Sequence, residues 1–124
     1  MQKVLLISAG AIIAANLRYV AAQYAAKLMP PSFPFGTLLI NLAASFMLGF
    51  FLVWTSERVL ADPRWRLLIA VGFCATFSTY SSYAFETFAL FERGQFWLAA
   101  LNFLVMNITC FVAVVLGAAL ARSL

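Results

Sequence analysis

Long apolar stretches separated by short polar segments make up most of the chain. Four of these stretches are about as long as the roughly 20 helical residues that cross a bilayer, and charged residues are few within them. The segments between them contain the prolines, glycines and charges typical of loops, such as Pro30-Pro31 and Glu92-Arg93-Gly94. The pattern predicts an all-α integral membrane protein, one domain over residues 1–124, with transmembrane helices at 4–22, 36–55, 67–91 and 95–121.

Composition and charge agree with a membrane protein. Of the 124 residues, 65% are hydrophobic and 10% are charged, which lies well outside the range of soluble domains. The net charge of +4 would suggest nucleic acid as a partner of a soluble protein. Here the basic residues flank apolar spans and are explained by cytoplasmic loops or anionic headgroups. We therefore predict membrane lipid, and not nucleic acid, as a partner. Cys74 and Cys110 fall within predicted spans and are expected to be free thiols.

The basic residues are unevenly divided between the two predicted faces of the membrane. Lys27 and Arg93 fall on one face, with Arg18 nearer to it. The opposite face, which also carries both termini, receives a larger set: Lys3, Arg58, Arg64, Arg66 and Arg122. This bias favours termini on the cytoplasmic side.

The titratable residues exclude the common forms of catalysis. The sequence has no histidine and only four carboxylates, so metal-dependent and histidine-based acid–base chemistry are not expected. A serine nucleophile would also need an activating base, which the chain does not offer within its spans apart from Glu86. We predict that the protein is not an enzyme.

Six consecutive residues with hydroxyl groups, 78–83, lie inside the third apolar stretch. An α-helix turns 100° per residue, so these side chains would surround the whole helix and could not all face one pore. One interpretation is that the hydroxyls bond back to helix carbonyls. The other is a third helix broken mid-span, because non-helical backbone at membrane depth must be buried by protein or line a polar cavity. The freed carbonyls could then bind a cation, and a second copy of the chain would be needed to enclose the site.

Three further polar positions within the spans have two interpretations each. Asn41 stacks with Thr37 on one face of the second helix and is either a bond between helices or part of a ladder of donors. Arg18 either extends to the headgroups or lends positive potential to a water-filled vestibule. Glu86 ends the third span, where it is either an interfacial residue paired with Arg93 or a functional carboxylate.

Three segments resemble motifs of one family, the Fluc (CrcB) fluoride channels. Residues 72–83, followed by Glu86, are similar to its GxxGGxTTFSTFSxE motif. Residues 36–42 resemble its GTLxVNxxG segment, and residues 10–19 resemble its GGxxGAxxRY opening. The three segments occur in the family's order, and the resemblance extends over all four predicted helices.

The resemblance implies a fluoride-selective channel that lets cytoplasmic fluoride leave passively and so protects the cell from fluoride toxicity. It implies an antiparallel homodimer of oppositely inserted subunits (dual topology) in the bacterial inner membrane, with two anion pathways and a structural Na⁺ at the central interface. The implied sodium ligands are the backbone carbonyls of Ala75 and Ser78. The implied ion pathway contains Asn41, Thr37, Tyr80, Tyr83, Ser81, Ser82 and Arg18.

The chain departs from the family pattern at two places. Ala75 and Thr76 stand where the motif has paired glycines, and Tyr80 and Tyr83 stand where it has phenylalanines. Two other functions are compatible with a small four-helix chain. A proton-coupled exporter of the small multidrug type needs a carboxylate in mid-membrane, for which the chain offers only Glu86. A scaffold without transport would give the hydroxyl run no role beyond packing.

Overall fold

The computed structural model describes residues 1–57 and 62–124, without the side chain of Glu57. Arg58 and part of the predicted loop around it therefore lie outside the described residues. Within these two ranges the chain is helical and has no strand. Four stretches of the described residues are long and apolar enough to cross a membrane: Gln2–Leu28, Phe35–Ser56, Pro63–Glu92 and Phe96–Ser123. The predicted all-α fold with four potential membrane spans is confirmed.

We number the helices in chain order. Helix α1 is Gln2–Leu28, α2 is Phe35–Glu57, α4 is Tyr80–Glu92 and α5 is Phe96–Ser123. Helix α3, residues 63–77, consists of an α-helical turn Pro63–Trp65, a wider π-helical stretch Arg66–Cys74 and a final α-helical turn Ala75–Phe77. Stretches of π-helix are rare and are often found at functional sites. The hydropathy pattern did not predict this π-helical stretch.

The helix ends follow from local sequence. Asp62 is the N-cap of α3, because its carboxylate accepts a hydrogen bond from the backbone N–H of Arg64 at 2.9 Å. Pro63 follows at the first helical position, which suits proline because it has no N–H group that would need an acceptor. At the end of α4, Gly94 has a left-handed φ of +72°. The N–H groups of Gly94 and Gln95 then return to the carbonyls of Phe91 and Leu90, each at 2.9 Å. This Schellman turn joins α4 to α5 by a short connection.

Close packing joins α1 to α3. A Cβ atom on Gly10 would collide with the carbonyl oxygen of Leu68, and one on Gly72 would lie 2.6 Å from the carbonyl oxygen of Ile7. Gly10 and Ala14 are buried, whereas Ala15 is exposed. The small residues therefore bring the two backbones together, as expected for helices that pack in a membrane.

Helix α2 makes its main contact with α5. Here too the approach depends on glycine, because a Cβ atom on Gly49 would collide with the carbonyl of Val114, and one on Gly117 with the carbonyl of Phe46. We call this contact the α2–α5 seam. It fixes the two helices whose polar residues meet the hydroxyl run of residues 78–83.

Candidate functional site

The helical backbone is interrupted at Ser78 and Thr79. Ser78 has φ −70° and ψ 157°, and Thr79 has φ −148° and ψ 109°, both in the extended region. The chain becomes helical again at Tyr80, where the Thr79 hydroxyl accepts the N–H of Ser82 at 3.3 Å and donates to its Oγ at 2.9 Å. Thr79 is thus the N-cap of α4, a position that favours threonine and serine.

Asn41 holds the interrupted backbone. It is buried on α2, where its Oδ1 accepts the N–H of Thr79 at 2.7 Å and its Nδ2 donates to the carbonyl of Thr79 at 3.1 Å. One side chain thereby satisfies both main-chain groups of a residue that lies between two helices. In a continuous α-helix, the N–H of Thr79 would instead donate to the carbonyl of Ala75, four residues earlier.

The two tyrosines of the run lie against each other with different exposure. Their ring centroids are 5.3 Å apart at an interplanar angle of 72°, the edge-to-face geometry that aromatic pairs prefer. Tyr83 is buried, and its hydroxyl accepts a hydrogen bond from Nδ2 of Asn107 at 3.0 Å. Tyr80, by contrast, is 74% exposed.

A cavity of about 240 Å³ lies between α2, α5 and the interrupted segment. Two sulfur-containing residues, Met106 and Cys110, form part of its wall. The rest of the wall consists of neutral polar residues, namely Asn41, Ser45, Ser78, Thr79, Tyr80, Tyr83 and Asn107. Hydroxyl and amide donors around a cavity of this size can replace part of the hydration shell of a small ion.

Thr37 and Glu86 form a second polar contact, one turn away from Asn41 along α2. The Thr37 hydroxyl donates to Oε1 of Glu86 at 2.6 Å. The other carboxylate oxygen, Oε2, is buried and has no hydrogen-bond partner among the described residues. Glu86 borders two further cavities of about 230 and 280 Å³. Arg93 lines the larger of these two cavities. The interfacial interpretation paired the Glu86 carboxylate with Arg93, whereas the structure gives it a hydrogen bond from Thr37.

The structure brings some of the predicted pathway residues together and leaves others apart. Asn41, Tyr80 and Tyr83 line the same cavity, while Thr37 lies with Glu86. The other three predicted residues do not line the cavity between α2 and α5. Ser82 is bonded to Thr79, Ser81 is exposed, and Arg18 is half-buried on α1.

The two predicted sodium ligands lie at the last turn of α3, where Ala75 is its first residue and Ser78 directly follows its end. Ser78 is half-buried and lines the cavity, whereas Ala75 is exposed. The carbonyl of Ser78 leaves the helical direction because the ψ angle of this residue is 157°.

Sequence reasoning missed several contacts of the site. It did not name Thr79 as the residue that Asn41 binds, nor Asn107 as the partner of Tyr83. It also missed Asn102, which is fully buried and donates to Oγ1 of Thr87 at 2.8 Å. The signal available for the two asparagines was their place in an apolar helix, where a polar side chain usually has a partner. Their partners could not be read from spacing, because α4 and α5 meet only in the fold.

Comparison with known proteins identifies the family. The model of the family described as CrcB-like protein, Camphor Resistance (CrcB), matches residues 5–118. The chain belongs to the CrcB family. The predicted resemblance is confirmed, and this CrcB chain is a multi-pass membrane protein.

Curated relatives carry a functional name. The chain is 49% identical over 124 residues to a protein of Koribacter versatilis (strain Ellin345), covering 100% of the chain and 98% of the relative. It is 40% identical to a protein of Sulfurihydrogenibium sp. (strain YO3AOP1), covering 100% of both. It is 41% identical to a protein of Roseiflexus sp. (strain RS-1), covering 98% of both. All three relatives are named "Fluoride-specific ion channel FluC". In agreement with the prediction that the protein is not an enzyme, this name describes an ion channel and not an enzyme.

Proposed function

We propose that the protein is a fluoride-selective ion channel that lets fluoride leave the cytoplasm passively. The family match and the names of relatives that cover nearly the whole chain support a channel over a proton-coupled exporter or a scaffold. The observation that carries the proposal to this chain is the cavity of neutral donors beside Asn41 and the interrupted backbone.

The chemistry of the cavity fits a small, strongly hydrated anion. Hydroxyl groups, side-chain amides and the positive edges of aromatic rings can all point hydrogen toward the ion. None of the residues that line the cavity carries a fixed charge. The lining can therefore offset part of the cost of dehydration without a charged group that would hold the ion too strongly to release it.

Efflux from liposomes tests the function. Vesicles loaded with potassium fluoride or potassium chloride, with and without protein, are treated with a potassium ionophore and followed with ion-selective electrodes. The channel predicts rapid loss of fluoride, retention of chloride and no requirement for a pH gradient. Loss that depends on an imposed pH gradient would support the exporter, and no loss of either anion would support the scaffold.

The active unit in our proposal is an antiparallel homodimer in the inner membrane of a bacterium. Tyr80 is 74% exposed on the single subunit, and Ser81 and Asn107 are exposed beside it. Polar groups at membrane depth are costly when they face lipid and are usually covered by protein. A second copy placed over this surface would enclose the cavity. Crosslinking in liposomes, read as the fraction of dimer, tests this step, and a monomer that conducts would exclude it.

The third helix is broken within the membrane in this proposal, and the break serves a structural sodium ion. Asn41 takes the N–H of Thr79 that a continuous helix would direct to the carbonyl of Ala75. The Ala75 carbonyl thus loses the N–H of Thr79 as its usual donor. The carbonyl of Ser78 does not point along the helix axis, because the ψ angle of Ser78 is 157°. Unwound carbonyls at a broken helix are typical ligands of Na⁺, so these two residues fit the ion.

Removing sodium tests the cation site. Purification with N-methylglucamine in place of sodium should lower the dimer fraction or the fluoride flux, and adding sodium back should restore both. Potassium serves as the control for ionic strength. If dimer fraction and flux are the same without sodium, the carbonyls of Ala75 and Ser78 have another role.

A further inference from the structure

Two sulfur atoms lie in the wall of the cavity beside Asn41. Met106 and Cys110 are four residues apart on α5 and so share one side of the helix. Cys110 Sγ and Met106 Sδ are 3.9 Å apart, and both residues line the cavity of about 240 Å³. The replacement of water around fluoride by hydroxyl and amide donors does not require sulfur, so this pair remains unexplained by the proposed function.

The pair has the chemistry of a soft-metal site. Thiolate and thioether sulfur select soft ions such as Cu⁺ over the hard cations that prefer oxygen. Met106 is buried, and its sulfur accepts two weak hydrogen bonds, from Nδ2 of Asn41 at 3.5 Å and from Sγ of Cys110 at 3.9 Å. Loss of the Cys110 thiol proton removes the second of these bonds and frees a lone pair on the Met106 sulfur, and the flexible methionine side chain can adjust to bring both sulfurs onto one ion.

We propose that Met106 and Cys110 bind one soft monovalent cation, Ag⁺ or Cu⁺, in the cavity. Binding converts the Cys110 thiol to a metal thiolate, and the thiol proton passes to water without any change of oxidation state. Two-coordinate binding suits these ions.

The other cysteine provides a natural contrast. Cys74 is 1% exposed and does not line this cavity. A cation that entered the cavity would therefore meet the thiol of Cys110 and not that of Cys74. The proposed site needs a thiol that lies beside a thioether and borders the same cavity. Of the two cysteines, only Cys110 does so.

An effect on transport follows if the cavity is part of the fluoride pathway, so this consequence depends on the proposed function. An ion bound to Met106 and Cys110 would lie beside Asn41 and Tyr83 and narrow the space between them. The metal thiolate has no net charge, because the cation replaces the thiol proton, so obstruction of the cavity is the effect that should slow the passage of fluoride.

Silver binding tests the site directly. The Cys74→Ala variant provides a background with one thiol, and silver nitrate is added in chloride-free buffer because chloride precipitates silver. After desalting, elemental mass spectrometry should find one silver ion per chain. Cys110→Ser and Cys110→Ala in this background should abolish binding. Met106→Leu should weaken it by at least roughly tenfold, since even the loss of an outer-shell partner of a metal ligand typically costs that much.

Two results would overturn the proposal. If Met106→Leu binds silver as tightly as the background, the ion is held by an isolated thiol and not by the pair. If the folded background variant binds no silver, the cavity does not admit the ion. Size-exclusion elution of each variant identifies any loss of binding that is due to misfolding, and the two different substitutions at Cys110 guard against the same problem.

Fluoride efflux separates the metal site from the proposed function. Silver should slow efflux by roughly tenfold or more in the Cys74→Ala background, which corresponds to a barrier increase of about 1.4 kcal/mol, and leave the Cys110→Ser variant unaffected. Undiminished efflux with silver bound would reject the obstruction. If no fluoride leaves even without silver, the channel proposal fails while the binding result stands.

Discussion

Helix α2 contacts two regions of the molecule in different ways, α5 along the α2–α5 seam and the interrupted segment at Ser78 and Thr79. In the seam, Gly49 and Gly117 let two regular helices touch along their backbones. At the interruption, Asn41 on α2 bonds to both main-chain groups of Thr79.

The difference shows that the contacts expected to stabilise the fold and the contacts that form the polar site lie in different regions of the molecule. Backbones that approach closely gain dispersion contacts, and their own hydrogen bonds remain inside each helix. The interruption leaves main-chain groups that only a side chain from elsewhere can satisfy. We therefore expect changes in the seam to lower stability and changes around Asn41 to alter the passage of ions.

The largest effect is expected for Asn41→Asp. A carboxylate can still accept the N–H of Thr79 but cannot donate to its carbonyl, and it adds a negative charge to the cavity. Repulsion on the order of 4 kcal/mol at about 4 Å and an effective dielectric near 20 should slow fluoride efflux by at least roughly 100-fold. A fluoride electrode on liposomes measures the rate, and unchanged flux would remove Asn41 from the pathway.

Thr55 provides the control on the same helix. It is buried, and its hydroxyl donates within α2 to the carbonyl of Phe51 at 2.6 Å. Thr55→Val removes a buried hydroxyl without touching the cavity, so fluoride efflux should match that of the unaltered protein.

In the seam, Gly117→Ala is expected to reduce stability by about 1–3 kcal/mol, the usual cost of forcing extra volume into a packed contact. The added Cβ would meet the carbonyl of Phe46. Unfolding in detergent, monitored by circular dichroism, measures the loss, while fluoride efflux per folded protein should change little. Ala119→Val, at an exposed position of α5, should leave unfolding unchanged. Equal stability of the two variants would mean that the seam does not depend on close approach.

A smaller effect is expected at the second polar contact. Thr37→Val keeps the shape of the side chain but removes the donor to Glu86. The half-buried carboxylate, whose Oε2 already has no partner among the described residues, is then left without that hydrogen bond. The cost of about 1–3 kcal/mol should slow fluoride efflux about tenfold, since 1.4 kcal/mol is a factor of ten. Thr37→Ser retains the hydroxyl and should conduct normally. If valine and serine behave alike, the contact with Glu86 is not needed for transport.

The smallest effect is expected for Tyr83→Phe, which restores the aromatic residue of the family motif. The variant loses the hydrogen bond from Asn107, worth about 1 kcal/mol of stability, but keeps a ring edge at the cavity. Fluoride efflux should change by less than roughly threefold. A double-mutant cycle with Asn107→Ala measures the coupling in stability, and a coupling near zero would show that this bond does not position the ring.

The sequence was sufficient for the class of fold, and it drew attention to the segment whose backbone is extended at Ser78 and Thr79. Four apolar stretches of bilayer length predicted four spans, since the thickness of the hydrocarbon core sets the length of a helix that crosses it. The six hydroxyl-bearing residues marked the segment in which the helix is interrupted. Asn41 was recognisable because a lone amide among apolar residues needs a partner.

The partners themselves were not predictable in the same way. Thr79 is 38 residues from Asn41, and Asn107 is 24 residues from Tyr83, so no helical or strand spacing connects them. The interfacial interpretation of Glu86 used Arg93 because that residue is near in sequence, whereas Thr37 reaches it across 49 residues.

Sequence periodicity shows which side chains share a face of one helix, and hydropathy shows which segments can enter a bilayer. The number of spans and the family motifs could therefore be read from local sequence. The tertiary structure alone decided the π-helical stretch Arg66–Cys74, the two bonds from Asn41 to Thr79 and the cavity that Met106 and Cys110 line together. These features depend on how far one helix slides and rotates against another, which is set by packing and by the requirement that every buried main-chain group find a partner.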